Sequence, residues 1–406
     1  MDPDELVAWL RLALTPGVGN DTARRLLAAF GLPQAIFTQT QAALGHLVSP
    51  AQARALAQPP DALAAQVLAT QAWLDGAEAG MGRAVATLGD ARYPAALLAL
   101  EDPPLMLYLL GQVQLLDSEQ KSAHVRADQA RTAINNIAFG WPDKALALVG
   151  SRNPTPQGVQ NARQFARALA DAGLAVVSGL ALGVDGAAHE GALAALDEGA
   201  PATRLVTLAV IGTGIDRVYP RQHRALAHRI AAHGLIVSEY PLGTPPLAPN
   251  FPRRNRIIAG LSAGTLVVEA ALPSGSLITA RLASEQGKEV FAIPGSIHSP
   301  LSRGCHALIR QGAKLVETAQ DVLEELRWPA PPTTGSAAAA LPADDAPNAQ
   351  EAALLQALGA DPVSLDALQA RTGLDTARLQ ARLLELELAG RVGRLPGGLF
   401  QRLGQT

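Results

Sequence analysis

Short apolar runs alternate with amphipathic segments through the middle of the chain, from Ala145 onward. Seven runs rich in Val, Ile, Leu and Ala predict strands, at 145–150, 174–179, 204–212, 235–239, 265–270, 289–295 and 313–317. Segments with helical spacing of apolar positions lie between them, at 159–172, 221–233, 253–261, 277–286 and 305–311. Strands that are apolar at nearly every position are buried on both faces, so the pattern predicts a doubly wound, mostly parallel α/β sheet.

Helical periodicity dominates the chain before this region. Residues 1–80 predict helices around a Pro-Gly-Val-Gly turn, with Asn20 or Asp21 as the cap of the following helix. The turn at Gly17 and Gly19 resembles that of a helix-hairpin-helix motif, so a phosphate-binding role and an ordinary turn are both open.

Two segments separate the helices from the sheet. Residues 84–115 predict a short strand, a turn and a second apolar strand. Residues 117–143 are polar and weakly patterned, which indicates an inserted loop or a short helix.

The chain after the sheet changes composition. Residues 328–350 are rich in Pro, Ala and Ser, which predicts a flexible linker. Residues 351–406 predict three helices, two of them capped by Ser364 and Asp375, and a β-ribbon that turns at 396–398. Three helices followed by a ribbon are typical of a winged helix.

Composition narrows the class of protein. Hydrophobic residues make up 48% of the chain, enough for a large core, yet no apolar run is long and pure enough to cross a bilayer. The chain begins with acidic residues, whereas a secretory signal begins with basic ones, so we expect a cytoplasmic protein. Cys305 is the only cysteine, which excludes an intramolecular disulfide and favours a small helix or turn residue over a nucleophile.

Positive charge is concentrated in the middle of the chain. Residues 146–328 carry seventeen Lys/Arg against fourteen Asp/Glu, a net charge of +3, and six of the eight histidines. The segments before and after carry net charges of −4 and −2. The excess is small, so affinity for an anionic ligand would have to come from where the cations lie.

Loops at the carboxyl ends of the strands carry the candidate chemistry, because ligands of open parallel sheets bind there. The first loop contains Gly150, Ser151 and Arg152. Its backbone N–H groups and the start of the next helix would hold an anion, and the guanidinium suits phosphate. Two further Gly- and Ser-rich loops lead toward helices. The residues that they contribute are Ser178, Gly179, Ser274, Gly275, Ser276 and Arg281.

The segment Phe-Pro-Arg-Arg-Asn-Arg combines an aromatic ring with cations at the start of a predicted helix. Its candidate binding residues are Phe251, Arg253, Arg254, Asn255 and Arg256. Cations at a helix N-terminus oppose the helix dipole, so three of them there suggest a bound anion. A ring beside arginines can stack on a base while the cations hold phosphates. A buried ring with arginines in salt bridges is an equal alternative.

Signatures of catalysis are weak. The second loop lacks the Gly-Lys-Ser/Thr ending of a P-loop, and no dinucleotide fingerprint, nucleophile elbow or paired metal ligands occur. Asp185 and His189 could act together on one helix, although local hydrogen bonding is favoured, and Glu239 and Glu269 are candidate carboxylates at strand ends. We predict a binding protein without cofactor or metal rather than an enzyme.

The loops, taken in order, resemble a known family. The motifs VGSRNPT, SGLALGVDGAAHEGAL, AVIGTGIDRVYP, FPRRNRIIAGLS, SGSLITARLASEQGKEVFAIPG and GCHALIRQGA closely resemble those of the DprA (Smf) family of DNA-processing proteins. The match covers about 145–320. The segment GDARYPAALLALEDPPLMLYLLG resembles the extension that precedes this fold in the family, whereas 117–143 departs from its pattern.

The resemblance implies a domain order. It implies a Rossmann-like domain at 84–327 with its core at 145–320, a SAM-like helical domain at 1–80 and a winged-helix domain at 351–406. It also implies a homodimer formed near the last helix of the Rossmann-like domain, around Leu308 and Ile309.

The same resemblance implies a function. Members of the family bind single-stranded DNA without strong sequence preference, protect incoming strands during natural transformation and pass them to the RecA recombinase. Displacement of single-strand-binding protein accompanies this transfer. The family's DNA-binding positions fall on Arg152, Phe251, Arg254 and Arg256.

Two alternatives remain open. Rossmann-like enzymes that cleave nucleoside monophosphates share a glycine-rich signature, of which SAGTLVVEA and SGSLITA are a partial echo. A protein-interaction adaptor that acts through its winged helix is the third interpretation.

Overall fold

A computed structural model describes residues 2–76, 80–117, 140–142, 144–196, 203–328, 349–359, 362–395 and 397–403. Most of the predicted insertion at 117–143 and of the predicted linker at 328–350 lies outside these residues. The domain boundaries given above therefore stay predictions. Within the described ranges, no helix combines the length and the apolar composition that a bilayer span requires.

Short helices fill the N-terminal part, as the periodicity predicts. They are Pro3–Leu14 (α1), Asn20–Phe30 (α2), Pro33–Phe37 (α3), Gln41–Gly45 (α4), Pro50–Ala57 (α5) and Leu63–Asp75 (α6). Trp9 and Leu26 are almost completely buried and share one apolar cluster with Met106 and Ile236 of the sheet. The helices are thus docked on the sheet by a common core.

The start of α2 differs from the prediction. Gly19 is the N-cap and Asn20 is already helical, so the predicted cap by Asn20 or Asp21 is wrong. The Asn20 amide instead donates a hydrogen bond to Asp102, at 3.3 Å. In the preceding turn Gly17 has a φ of +77°, which favours glycine and fits either kind of turn.

A nine-stranded sheet forms the centre of the described structure. Its strands are Gly82–Thr87 (β1), Met106–Gly111 (β2), Ala145–Val149 (β3), Ala175–Ser178 (β4), Thr207–Val210 (β5), Leu235–Ser238 (β6), Gly264–Val267 (β7), Glu289–Ala292 (β8) and Lys314–Leu315 (β9). Their order is β1-β2-β6-β5-β4-β3-β7-β8-β9. The pairs from β6 to β9 are parallel, whereas β1–β2 and β2–β6 are antiparallel. The predicted mostly parallel sheet is confirmed, and the two early strands extend its edge.

Both faces of the sheet are covered. In β3, Ala145 and Ala147 belong to one apolar cluster while Leu146 and Leu148 belong to another, because successive side chains point to opposite faces. The covering helices are Pro156–Asp171 (α7), Val184–Leu193 (α8), Arg224–His233 (α9), Asn250–Gly260 (α10), Ser276–Glu285 (α11), Arg303–Arg310 (α12) and Ala319–Glu325 (α13). The chain winds outward from β3 in both directions, which leaves a crevice between β3 and β7.

Helix α8 occupies a segment that the sequence presents as a Gly-rich loop. Half of its ten residues are glycine or alanine, and a side chain at Gly191 would lie 2.2 Å from the backbone oxygen of Arg163 in α7. The glycines therefore serve close helix packing in this segment as well as turns.

The C-terminal module has the predicted winged-helix form. Its elements are Ala349–Leu358 (α14), Val363–Ser364 (β10), Leu365–Thr372 (α15), Thr376–Leu388 (α16), Val392–Leu395 (β11) and Leu399–Arg402 (β12). Ser364 and Asp375 cap their helices as predicted. Gly397 and Gly398 of the ribbon turn have positive φ, whereas residue 396 lies outside the described chain.

Candidate functional site

A cleft of about 400 Å³ opens at the carboxyl ends of β3 and β7, in the crevice that the topology leaves. Eight of the fourteen predicted binding residues line it. They are Gly150, Arg152, Phe251, Arg254, Asn255, Ser274, Gly275 and Ser276. Loops that are up to about 120 residues apart in sequence therefore meet at one place.

The mouth of the cleft combines a cation with two aromatic rings. The Arg152 guanidinium lies 5.9 Å from the centre of the Phe251 ring, and Arg152 is exposed. The Tyr219 ring lies 5.5 Å from Phe251 at an angle of 38°, and 49% of Tyr219 is exposed. Sequence reasoning missed Tyr219; the signal was its place in the loop after β5, at the same sheet edge.

The absence of a side chain at Gly212 leaves space for the Phe251 ring at the mouth of the cleft. A side chain at Gly212 would begin 3.0 Å from the Phe251 ring. The ring is half-buried, so one part of it packs on the loop and the other part is available to a ligand.

Arg254 forms the floor of the cleft and is only 4% exposed. Its guanidinium donates to the backbone oxygen of Val210. A side chain at Gly179 would lie 2.0 Å from the Arg254 Nη1 atom, so Gly179 provides the space for the guanidinium. Burial lowers the pKa of Arg254 to about 10, and the charge of Asp185 opposes this shift. Gly179, predicted to contact the ligand, thus acts by admitting Arg254.

Asp185 balances this buried cation. Its carboxylate accepts hydrogen bonds from the backbone N–H groups of Gly179, at 3.1 Å, and Ala181, at 3.3 Å. Burial raises the pKa of the Asp185 carboxyl, while the Arg254 charge and the two N–H groups lower it. His189 contacts Thr207 through Nδ1 at 2.7 Å, and burial lowers the pKa of His189 to about 3. The two side chains have separate hydrogen-bond partners, as the interpretation of local hydrogen bonding expects.

Glu269 occupies the helix start that the sequence predicts as an anion site. Its carboxylate accepts hydrogen bonds from the Thr155 N–H, at 2.9 Å, and from the Thr155 hydroxyl. A side chain at Gly158 would lie 2.5 Å from this carboxylate. The N-terminus of α7 is therefore filled by the protein's own anion. We therefore do not expect an external anion at this helix start, because the carboxylate that occupies it comes from the segment after β7, far along the chain.

Glu269 also holds the loop that carries Arg152. Its backbone oxygen accepts a hydrogen bond from the Ser151 N–H at 2.7 Å. Burial raises the pKa of the Glu269 carboxyl, and the hydrogen bonds from Thr155 oppose the shift. The sequence marks Glu269 as a possible catalytic carboxylate, whereas its contacts make it a positioning residue.

Ser274 and Ser276 lie on the opposite wall of the cleft. Their hydroxyl oxygens are 2.6 Å apart, and the hydroxyl of Ser274 also accepts from the Ser276 N–H at 3.3 Å. The Asn255 amide donates to the Gly275 oxygen at 3.3 Å, which ties this wall to α10. The wall presents hydroxyl and amide groups at the start of α11.

The remaining predicted residues do not line the cleft. Ser178 is fully buried and donates to the Leu148 oxygen, and the Ser151 backbone joins Glu269 and Val184. Arg256 donates to Glu239 and also lies 3.3 Å from Asp102. Arg253 lines a separate pocket with Tyr240. Arg281 pairs with Glu285 at 3.5 Å, beside a groove lined by Leu308.

Helix geometry explains why the arginines of α10 separate. Successive side chains on a helix differ by about 100°. Arg254 therefore faces the cleft, while Arg253 and Arg256 face the N-terminal helices and β6. For Arg256 the alternative of a salt bridge is correct. The half-buried Phe251 ring fits the binding interpretation, whereas Arg254 lines the cleft but is almost fully buried and donates to the Val210 oxygen.

The predicted dimer residues lie at a different place. Leu308 and Ile309 of α12 are half-buried, near the exposed side chains of Leu272 and Ile297. The dimer stays a prediction. Cys305, on the same helix, is fully buried, and burial raises the pKa of its thiol to about 12, as expected of a packing residue.

Comparisons with known proteins agree with this architecture. The family model of DNA recombination-mediator protein A matches residues 135–327, and the model of the DprA winged helix domain matches residues 337–398. The Protein Smf of Escherichia coli is 41% identical over 317 residues, which cover 75% of this chain and 74% of that protein. The DNA processing protein DprA of Streptococcus pneumoniae is 42% identical over 236 residues, 58% of this chain and 72% of that protein.

A solved structure is similar as well. The X-ray structure of DNA processing protein A from Streptococcus pneumoniae aligns with a TM-score of 0.60 at 34% identity. The alignment covers 80% of this chain and 98% of that one.

Proposed function

Since the chain belongs to the DprA (Smf) family of DNA recombination mediators, we propose that its cleft binds single-stranded DNA. The observation that carries the proposal is the group at the cleft mouth, where the exposed Arg152 lies over the Phe251 ring beside Tyr219. Among the described residues, Arg152 forms no salt bridge; its charge lowers the pKa of the buried Asp185, while its exposed guanidinium is available to a phosphate.

A single strand offers what this group requires. Its bases are free to stack on an aromatic face, while its phosphates attract cations without regard to sequence. In a duplex the base faces are covered by their neighbours, so the rings would have nothing to stack on. The hydroxyl groups of Ser274 and Ser276 and the amide of Asn255 supply further hydrogen bonds along the cleft.

We further propose that the bound strand is protected and passed to a RecA recombinase, with displacement of single-strand-binding protein. The family's description as a recombination mediator supports this step. This transfer can be measured as the rate at which RecA assembles on strands coated with single-strand-binding protein, with ATP hydrolysis by RecA as the signal. The protein should accelerate assembly and an Arg152→Ala variant should not; equal acceleration by both would contradict the proposal.

Loss of Arg152 should weaken binding of every single strand. Arg152→Ala should lower affinity about tenfold to a hundredfold, the worth of a charge-assisted hydrogen bond. The slope of log affinity against log salt should become shallower by about 0.7, because one phosphate is no longer neutralised. Fluorescence anisotropy with an oligo-dT probe at several salt concentrations measures both.

A matched control separates this effect from general loss of charge. Arg167→Ala removes an exposed arginine of α7 whose one ion pair among the described residues is with Asp171, at 3.8 Å. It should keep the wild-type affinity and slope. Wild-type binding by Arg152→Ala, at an unchanged melting temperature, would refute the placement of the strand in this cleft.

Loss of the Phe251 ring should lower the affinity only for oligonucleotides that carry bases. Phe251→Leu keeps apolar volume on Gly212 but removes the stacking face, which is worth about 1–3 kcal/mol per base. Affinity for oligo-dT should fall accordingly, whereas affinity for an abasic oligonucleotide of equal length should not change. Arg152→Ala should weaken both probes. A similar loss on both probes for Phe251→Leu would show that the ring does not stack on a base.

The contacts of the carboxylates support binding over catalysis. Glu239 is paired with Arg256, Glu269 accepts from Thr155, and Asp185 accepts from two backbone N–H groups. Each candidate base is thus engaged within the protein. Incubation with AMP and other nucleoside monophosphates should release no free base; release that depends on one of these carboxylates would favour the enzyme alternative.

A further inference from the structure

A helix that carries only basic charges lies next to the cleft. Residues 221–233, a short 3-10 turn followed by α9, contain three arginines and three histidines and no Asp or Glu. Arg221, Arg224, His228 and Arg229 are exposed. Among the residues that the structure describes, no acidic side chain pairs with any of these arginines.

Three of these groups form a row. Arg221, Arg224 and His228 are spaced by three and four residues, which places them along one side of the turn and helix. The row begins two residues after Tyr219 at the mouth of the cleft and leads away from it. We refer to these three residues as the basic row.

The basic row ends at an apolar cavity. This cavity, of about 80 Å³, lies between α9 and the sheet, and His228 is part of its wall. Its apolar walls include Ile211, Ile215, Ala227 and Ala231. The polar side chains that line it are Arg83, Arg217 and His228, so every polar group at its edge is basic.

The two arginines at this edge, Arg83 and Arg217, differ in the strength of their contacts within the protein. Arg83 donates to the Trp73 oxygen at 2.7 Å and lies over the Trp73 ring. Arg217 is half-exposed and lies 3.6 Å from Asp216, its neighbour in sequence. In the part of the chain that the structure describes, the ion-pair partner of Arg217 is thus one solvent-exposed carboxylate, a weak interaction that leaves Arg217 able to turn toward another carboxylate.

We propose that the basic row and the cavity together bind an acidic peptide segment of a partner protein, with one apolar side chain of the peptide in the cavity. The carboxylates would lie along Arg224, Arg221 and His228. The cavity, of about 80 Å³, is large enough for one aliphatic side chain such as leucine. Such a peptide offers both features that this surface lacks, a run of negative charge and an apolar anchor.

The chemistry of the cavity favours a peptide over a polynucleotide. A nucleic acid would supply negative charge for the basic row but no aliphatic group, and its bases stack on aromatic faces. The cavity has aliphatic walls, and its described lining residues include no Phe, Tyr or Trp; the one ring among them is the His228 imidazole. The charge of the basic row and the apolar cavity at its end therefore both favour an acidic peptide with an apolar side chain. This argument does not depend on DNA binding by the cleft.

Anisotropy with two fluorescent heptapeptides tests the proposal on the full chain. The first, Asp-Glu-Asp-Glu-Gly-Leu-Phe, carries charge and an apolar anchor; the second replaces Leu-Phe by Ser-Ser. The first should bind at least about tenfold more tightly, because truncation of a buried anchor is the largest single loss at most interfaces. Equal affinity of the two peptides would overturn the proposal, since it would reduce the binding to charge alone.

Variants locate the binding on this surface. Arg224→Glu and His228→Glu should each lower peptide affinity about tenfold, by repelling the carboxylates. Arg54→Glu is the matched control, an equal charge reversal at an exposed position of α5, and should leave affinity within about twofold of wild type. An equal loss in the control, or no loss in Arg224→Glu, would contradict the proposal.

DNA binding by the cleft and peptide binding by the basic row can be refuted independently. Arg152→Ala should keep the peptide affinity, and Arg224→Glu should keep the affinity for oligo-dT. If Arg224→Glu weakens oligo-dT binding and the peptide does not bind, the basic row belongs to a polynucleotide track and the peptide site is refuted. If wild type binds the peptide but not oligo-dT, only the function proposed for the cleft is refuted.

Discussion

Replacing Arg254 by methionine is expected to destabilise the protein by about 3–5 kcal/mol, because it leaves the buried Asp185 carboxyl without the nearby positive charge that offsets its burial. The guanidinium is 4% exposed, lies against Gly179 and donates to the Val210 oxygen. Methionine fills much of its volume but leaves Asp185 buried without the cation that lowers its pKa. Urea unfolding of both proteins at pH 7.5 measures the difference.

The pH dependence identifies Asp185 as the cause. Burial already raises the pKa of the Asp185 carboxyl above its usual range, and removal of Arg254 raises it further. Burying the ionised carboxylate lowers the free energy of unfolding, and this loss is complete at any pH above the pKa of Asp185 in the folded state. The loss disappears as the pH falls from that pKa to the pKa of Asp in the unfolded state, about 3.9. The stability gap between variant and wild type should therefore narrow on acidification.

A neighbouring arginine supplies the control for this prediction. Arg253→Met changes the adjacent, exposed arginine of α10 and should alter stability little. A gap for Arg254→Met that stays constant between neutral and acidic pH would show that Asp185 does not carry the effect. The result matters for function, because lost DNA binding in any Arg254 variant has to be corrected for lost folding.

Replacing Glu269 by alanine should lower stability by about 2–4 kcal/mol, as expected for the loss of two partly buried, charge-assisted hydrogen bonds from Thr155, the N-cap of α7. The carboxylate holds the N–H and hydroxyl of Thr155 at the start of α7. Its loss also loosens the loop between β3 and α7, on which Arg152 is carried. Affinity for oligo-dT should therefore fall together with stability.

A double-mutant cycle shows whether Glu269 acts through Arg152. Glu269→Ala should weaken oligo-dT binding in the wild-type background but add little in the Arg152→Ala background, since the residue that it positions is gone. Glu285→Ala, which removes only an exposed ion pair with Arg281, is the control. Additive losses for Glu269 and Arg152 would mean that the carboxylate does not position the arginine.

Most elements of the fold could be predicted from the sequence. The apolar runs at 145–150 and 174–179 became β3 and β4 with ends within two residues, and Ser364 and Asp375 cap the helices that they were predicted to cap. The prediction was incomplete at α8: a helix was considered for Asp185 and His189, but the glycines that pack this helix against α7 look like loop residues in sequence. Packing of that kind depends on a partner outside the local window.

The candidate site was predicted less completely. Arg253, Arg254 and Arg256 are equivalent as sequence, yet they face an adjoining pocket, the cleft floor and a salt bridge, respectively. Tyr219 joined the site from a loop that offered only an aromatic at the right sheet edge. Glu269 took the helix start that the sequence offered to an external anion.

The sequence by itself determined the succession of strands and helices along the chain, the edge of the sheet at which the glycine-rich loops lie, and the family. These depend on periodicity and on turn residues, which act over a few positions. The tertiary structure alone decided which cations remain free for a ligand. Arg254 lies against Gly179 and near Asp185, and Arg256 pairs with Glu239 and Asp102, whereas Arg152 has no ion pair among the described residues and lies over the Phe251 ring. A side chain is neutralised or left available by groups brought to it from distant parts of the chain, and their distances exist only once the sheet has formed.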